Sequence, residues 1–592
     1  MLAAISDRPH QYQQSHLRRA ICFAGARGFG IDSWANVRKS VAESGMRQFQ
    51  FSLLFCIASS VLRAQLPAVY PHQVVNAASF LAPGLPAGSI AQGSIFSIFG
   101  TNLGPAMGVQ ATSFPLGSTL AGVSITAAQG SNTVNVLPVY VQQGQINALM
   151  PSNTPTGWIS LRVTYNGLKG HPSPVYVVHD SPGIFTFTGS GGGAAAIQNI
   201  ANDGSLTLNS NQNAATPGET VQMYLTGLGP ITAPDNQPPP ANAPTTPVEV
   251  WVGGVSATVS YSGRSPCCSG LDQIDFVVPT SAPQGCWVPI EIRTSQANVS
   301  NGVSMAIAAN GGACSDPENP FAAALLQGGA LGDLALVRTT VHQDVAVNNP
   351  IDITSDTLSY LVRKQPGGPF VSPPFLAMPP PGSCTLYAGI GDYWSTGQVA
   401  DATSFTLLDG GSQFTVANGA GSQVASATAM ASALGSSFPL WSTPGTLVLS
   451  PGSYTVSGNG GADTGPVSVS LSMPGPLTWT NRDQTTMVNR SQPLTLNWTG
   501  QVNGQTIEIM GENSDLRTNS SALFYCTVPA GASSFTVPPQ ILAFIPATRP
   551  NLLDSTGIVF LIAGSSTGLS AKGLDTGVAW TIYQTGKTVV FE

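Results

Sequence analysis

Charge is what this chain has least of. Lys, Arg, Asp and Glu make up 8% of its 592 residues, about a third of the share in an ordinary soluble domain. The formal net charge of −7 is spread thinly; with no basic cluster to neutralise phosphates, nucleic acid is excluded as a partner. Histidine is as scarce, with six residues and no metal-ligating spacing such as H-E-x-x-H. Neither a Walker loop nor a dinucleotide fingerprint is present, so no metal and no cofactor is expected. Past Arg63 no apolar run approaches the length that spans a bilayer, so the mature chain is expected to carry no membrane-spanning segment. Abundant instead are Gly (65) and Pro (47), a balance that favours short strands joined by turns over helices.

From about residue 80 to 310 the chain says one thing twice. GSIFSIFGTNLGP, Gly93 to Pro105, returns as GETVQMYLTGLGP, Gly218 to Pro230, and QINALMPSNTPTGW, Gln145 to Trp158, returns as QIDFVVPTSAPQGC, Gln273 to Cys286. Five of 13 and five of 14 positions are identical, at offsets of 125 and 128 residues. These are two copies of one module. In the segment Ile159 to Val163, Ile159, Leu161 and Val163 alternate with Ser160 and Arg162, the period of a half-buried strand.

The amino terminus reads as an address. Arg47, an apolar run from Phe51 to Leu62 and then Arg63-Ala64-Gln65 match the charged, apolar and cleavage regions of a signal peptide at about 46–64. Residues 1–45 then read as an over-long start, so that 1–64 is a mis-called extension plus signal. Cys56 follows Leu53-Leu54-Phe55, with Phe55 where a lipoprotein box needs a small residue. Cysteine usage agrees with export: without Cys22 and Cys56, an even set of Cys267, Cys268, Cys286, Cys314, Cys384 and Cys526 remains. The first four crowd into the second repeat, where the aligned positions of the first repeat for Cys267, Cys268 and Cys286 are Val139, Tyr140 and Trp158. They are staples added to a module that folds without them. Four cysteines allow three pairings, and spacing does not choose; a zinc site is disfavoured by the adjacency of Cys267 and Cys268 and by the lack of a nearby His. Cys384 and Cys526 are left for each other.

GTNLGP, then QIN and a Pro, then the closing SNGVSMAI at Ser300 to Ile307 resemble the immunoglobulin-like C-terminal modules of secreted proteins of soil Acidobacteria, the Solibacter-type family. The CCSGLDQIDFVVP run from Cys267, with GCWVPIEI and GGACSDP, looks like a cysteine-bearing version of that module. The GxxFxIxGTNLG element also resembles the IPT/TIG branch of immunoglobulin-like folds. The resemblance covers about residues 74–317 and implies an extracellular β-sandwich; it brings no catalytic residues.

The expected class is all-β, tandem immunoglobulin-like β-sandwich domains. The first repeat is placed at 74–188 and the second at 194–317, with Gly189–Gly193 as the hinge between them and Pro230–Pro247 as a stiff Pro-rich connection. Alternation at Val467 to Leu471 and Leu494 to Trp498, with turns at Pro451-Gly452 and Pro474-Gly475, extends the β grammar. This places further sandwiches at 325–475 and 476–592. Residues 419–434, rich in Ala and Ser, fit a short helix or a small-residue strand equally.

Chemistry is sparse. Gly564 to Gly568 matches G-x-S-x-G, but the last His, His342, precedes it, and a nucleophile elbow needs a later His. Asp463-Thr464-Gly465 and Asp575-Thr576-Gly577 are the paired triplets of an aspartic protease, without the apolar strand before Asp463 or the half-domain after Asp575. Asp/Gly turn chemistry explains both more simply. Tyr393, Trp394, Trp441 and Trp251 are the candidate ligand-facing aromatics, Trp251 because Val248, Val250 and Val252 claim the other face of its strand; Trp498 shares the parity of Leu494 and Leu496 and is expected in the core. The leading expectation is a secreted or cell-surface, non-catalytic adhesion or interaction protein whose partner is an extracellular protein or polysaccharide. The alternatives are an array of carbohydrate-binding modules and, remotely, an aspartic-type hydrolase.

Overall fold

A computed structural model describes residues 65–240, 243, 245–295, 298–344, 350–390, 405–419, 421–426, 449–515, 518, 520–548 and 557–592. About 52% of the described residues are strand and 3% helix, the all-β class expected from composition. The signal segment, Tyr393, Trp394 and Trp441 lie outside the described residues.

The first module is built from β1 (Ala68–Asn76), β2 (Ile95–Thr101), β3 (Val123–Gln129), β4 (Asn132–Val141), β5 (Gln145–Leu149), β6 (Gly157–Tyr165) and β7 (Ser173–Val178), in the spatial order β1-β2-β5-β4-β3-β6-β7. β4 makes the sandwich. Its first half pairs with β3 and its second half with β5, with a register shift between Pro138 and Tyr140 where the strand passes from one sheet to the other. Inward residues of both sheets, among them Phe96, Ile98, Ile125, Ile146, Leu161 and Val177, form its core.

The second module repeats this wiring. β8 (Ile197–Ile200), β9 (Thr220–Thr226), β10 (Val248–Val252), β11 (Val255–Arg264), β12 (Asp272–Val277), β13 (Gly285–Thr294) and β14 (Val303–Ile307) run in the order β8-β9-β12-β11-β10-β13-β14. Thus β2-β5-β4-β3-β6-β7 of the first module has its counterpart strand for strand, and β11 shifts register between Val259 and Tyr261 just as β4 does.

The structure corrects two expectations and extends a third. Val141 and Ile146 pair across a separation of five residues, whereas Ser262 and Ile274 pair across twelve, so this hairpin is seven residues longer in the second module. Cys267 and Cys268 sit in that extension and do not correspond to Val139 and Tyr140. In β6 Gly157 and Ile159 pair with Val177 and Val175 on either side of Trp158; in β13 Gly285 and Val288 pair with Ile307 and Met305 across a register shift, so Cys286 and Trp287 together fill the place that Trp158 holds alone. Gly189–Gly193 is not a hinge. Gly183 and Ile184 already pair with β9, the Gly191 carbonyl accepts from Asn301 Nδ2 at 2.7 Å, and a Cβ at Gly191 would meet the Ser79 carbonyl oxygen at 2.1 Å.

After a short helix, α1 (Ala322–Gln327), come β15 (Gly329–Asp344), β16 (Pro350–Gln365), β17 (Ser383–Ile390), β18 (Gln413–Asn418), β19 (Gly421–Ser426), β20 (Gly452–Gly458), β21 (Val467–Met473), β22 (Leu494–Thr499), β23 (Thr506–Asp515), β24 (Ser520–Thr527), β25 (Ser534–Val537), β26 (Gly557–Gly568) and β27 (Thr576–Phe591). One sheet runs β17-β24-β23-β26-β27-β15-β16. It crosses the boundary expected at 475/476: β15 pairs in parallel with β27, from Leu331↔Thr576 to His342↔Lys587. Two smaller sheets, one ordered β19-β18-β20-β21 and one containing β22 and β25, complete separate cores, around Leu334, Tyr360 and Val456 in one and Trp498, Phe524 and Phe544 in the other. Two sandwiches therefore share one continuous sheet. Within 419–434, residues 421–426 are strand.

Candidate binding surface

The outward face of β6 follows from its alternation. Ile159, Leu161 and Val163 turn into the first module's core, which leaves Trp158, Ser160 and Arg162 on the other side. Trp158 is 67% exposed, more than any other aromatic among the described residues. Tyr176 of β7 stands directly opposite it in register, is itself 45% exposed, and meets the indole edge-to-face at 5.2 Å between ring centroids, a favoured aromatic geometry. The backbone beneath is held: Gln129 Nε2 donates to the carbonyls of Thr156 at 2.9 Å and Trp158 at 3.1 Å.

Register carries the face onward. Pro174, Ser160, Ala128 and Thr133 form one cross-strand row from β7 to β4, about 14 Å at the usual strand spacing. At its far end Thr133, Asn135, Leu137 and Pro151 line a shallow cleft of about 340 Å³ whose other wall is Asp235 and Asn236 of the second module's Pro-rich connection. Asp235 is tied to the first module through Ser152, whose N–H and hydroxyl both donate to it at 2.7 Å, while Leu116 N–H donates to the Asn236 carbonyl at 2.7 Å.

The two modules are clamped. Arg264, 1% exposed, ion-pairs with the fully buried Asp272 and reaches with Nη2 across the interface to the Gly93 carbonyl at 2.6 Å and, within its own module, to that of Gly229 at 2.9 Å. Burial pushes the Asp272 carboxyl upward while the Arg264 charge opposes it. Thr226 joins the same seam, donating from Oγ1 to the Gly270 carbonyl at 2.7 Å and accepting from Ile95 N–H at 2.9 Å. The linker is pinned as well, with Asn76 Nδ2 donating to the Ser181 carbonyl at 3.1 Å and Asn298 Nδ2 to that of Asp180 at 2.8 Å. The Trp158 face is thus carried on a stiff pair of modules.

No protein-family model and no curated protein matches the chain. Among solved structures it is similar to SGBP-B from a complex xyloglucan utilization locus in Bacteroides uniformis, at 13% identity over 65% of this chain and 88% of that one, with a TM-score of 0.16. A titin A168–A170 fragment is 11% identical over 66% of this chain and 96% of its own, TM-score 0.10; Sidekick-1 immunoglobulin domains 1–5 are 9% identical over 89% and 99%, TM-score 0.12. Superpositions this poor bear no weight for fold or function.

The residues singled out from sequence are dispersed. Cys286 bonds Cys314, Cys384 bonds Cys526 across paired strands, and the adjacent Cys267 and Cys268 bond each other. Trp251 does lie on the outer face of β10, since Val250 and Val252 enter the core, but it is half-buried and its indole N–H is buried without a partner. Opposite it in register is Glu291, whose carboxyl burial alone pushes up to about 8. Trp498 is a core residue at 2% exposure. Asp463 accepts the Asp409 N–H and Asp575 the Ala330 N–H, each at 2.7 Å, so each carboxylate ties its loop to the backbone of a segment distant in sequence. Gly564–Gly568 lies within β26, paired residue by residue to β27, and not at a strand-to-helix elbow. Among the described residues no group of three or more His, Cys, Asp or Glu is placed to hold a metal ion, and no helix is long and apolar enough to cross a membrane.

Trp158 is legible in principle. The alternation that puts Ser160 and Arg162 outward puts Trp158 with them.

Proposed function

We propose that this chain is a non-catalytic, extracellular interaction protein that meets its partner through the Trp158–Tyr176 face of its first module. The observation that carries the reading is the exposed aromatic pair itself. Two large rings left in water, held in fixed register above a clamped scaffold, gain contact area on binding at little cost in side-chain freedom, the property that concentrates binding energy on Trp and Tyr. The three disulfides support an oxidising compartment, and the engagement of Asp463 and Asp575 with backbone N–H groups of distant segments supports a structural role over proteolysis. The test is binding of the labelled full chain to intact cells and extracellular material of its source, beside W158A/Y176A. Loss of saturable binding in the double variant is expected; undiminished binding would reject this face as the contact surface.

A further inference from the structure

The chain contains its own comparison for the Trp158 face. Trp287 shares with Cys286 a bulge of β13 opposite Ala306, the place where Trp158 alone faces Tyr176, yet is only 2% exposed. It packs with Phe321, Leu325, Val371 and Leu376 of the segment after the module and donates from its indole N–H to the Val371 carbonyl at 2.8 Å. Where this face docks protein, its surroundings have changed to suit. Pairing of Ile159 with Val175 in the first module matches that of Val288 with Met305 in the second, so Ala306 stands where Tyr176 does, and Pro289 where Ser160 does. The small Ala306 lets another backbone approach, and Pro289 leaves neither a hydroxyl nor an N–H to desolvate.

The first module keeps the opposite choices. Tyr176 rises beside Trp158 and blocks close approach of a flat protein surface, while Ser160 beside the rings and Thr126, Thr133 and Asn135 further along the same face present exposed or half-exposed donors and acceptors. The row from β7 to β4 holds no charged side chain; Arg162, two residues beyond Ser160 on the same face, is half-buried. A partner that fits must offer apolar faces of ring size, flanked by groups that hydrogen-bond to hydroxyls and amides, and must carry no need for a counter-charge. Pyranose units do this: their axial C–H groups pack on an indole face while the equatorial hydroxyls reach the polar rim. From the reading of this face as the contact surface we infer that it is a binding site for a neutral polysaccharide, with Trp158 as the stacking platform, Tyr176 as its wall and the polymer running across the strands towards the Asp235 cleft.

The test is affinity electrophoresis and titration calorimetry of the purified full chain with hydroxyethylcellulose, glucomannan, galactan and, as an acidic comparison, polygalacturonate. Saturable binding to at least one neutral polymer is expected, weakened at least tenfold in W158A, partly restored in W158F and reduced several-fold in Y176A. Because Trp158 is mostly in water, W158A should unfold at the same denaturant concentration as the parent, which separates a lost site from a lost fold. No binding to any neutral polymer, or binding indifferent to W158A, overturns the inference. Cell binding that needs Trp158 but is abolished by protease treatment of the cells also overturns it, in favour of a protein partner, and leaves the functional reading standing. Cell binding that ignores Trp158 fails that reading as well.

Discussion

Replacing Glu291 by glutamine should stabilise this protein, and only above mildly acidic pH. Glu291 is 1% exposed, one of its oxygens has no hydrogen-bond partner, and burial pushes its carboxyl from an ordinary 4.5 to about 8. The folded state therefore holds a proton that the unfolded chain releases once pH passes the ordinary value. A raised acid makes the folded state the better proton binder, so stability falls as pH rises from the unfolded value to the folded one and is flat beyond it. At 1.36 kcal/mol per unit, the glutamate costs about 1 kcal/mol at pH 5, about 3 at pH 7 and about 4 at pH 8. A neutral amide of the same shape carries none of this dependence. Urea unfolding of both proteins at pH 5, 7 and 8, followed by tryptophan fluorescence, should show the variant ahead by about 1 kcal/mol at pH 5 and about 3 kcal/mol at pH 7. Asp316 and Asp333, raised to about 6, and Glu508, raised to about 7, titrate in the same direction, but they are common to both proteins and drop out of the difference. A gap that does not change with pH, or a variant less stable at pH 8, would refute the reasoning.

Other perturbations probe the seams. Arg264→Met leaves the buried Asp272 without its counter-charge and should cost roughly 3–5 kcal/mol, seen as a lower urea midpoint for the paired modules. Trp287→Ala empties a packed site and should cost roughly 3–5 kcal/mol, whereas Trp158→Ala should stay within about 0.5 kcal/mol of the parent; side-by-side melts would distinguish docked from open. Opening the Cys384–Cys526 loop of 142 residues with serines at both positions should cost about 5 kcal/mol in the chain-entropy view, measured as the difference in unfolding free energy under non-reducing conditions.

Legibility in the sequence extends to whatever the chain writes locally. The repeated module is legible because its strand alternation and its GTNLGP and TGLGP turns are local, and both copies use them in the same order. The length of the β11–β12 hairpin is not legible: Cys267 and Cys268 sit in an extension whose only mark is a change of offset between two matched blocks. The shared sheet is hidden more deeply. Leu331 and Thr576 are neighbours across parallel strands, yet nothing around either residue names a partner so far along the chain, and the Pro474-Gly475 turn reads as an ending. The burial of Trp287 and the exposure of Trp158 are likewise decided by the segments downstream of each module, not by the strands that carry them.

The position of β27 has a consequence for how this protein comes into being. It is the last strand in the described chain, but in space it lies between β26 and β15, near the middle of the large sheet. The two amino-terminal modules draw on neighbouring sequence and can close while synthesis continues; β15 must wait for a partner more than two hundred residues downstream, the kind of distant pairing that slows folding and leaves strands uncovered in the meantime. A product cut before Thr576 would lose no part of the Trp158 face. It would carry two long apolar edges where one interior strand should be, and such edges recruit other chains. Premature termination near the carboxyl end should thus reveal itself as aggregation, with the binding surface at the other end of the polypeptide intact.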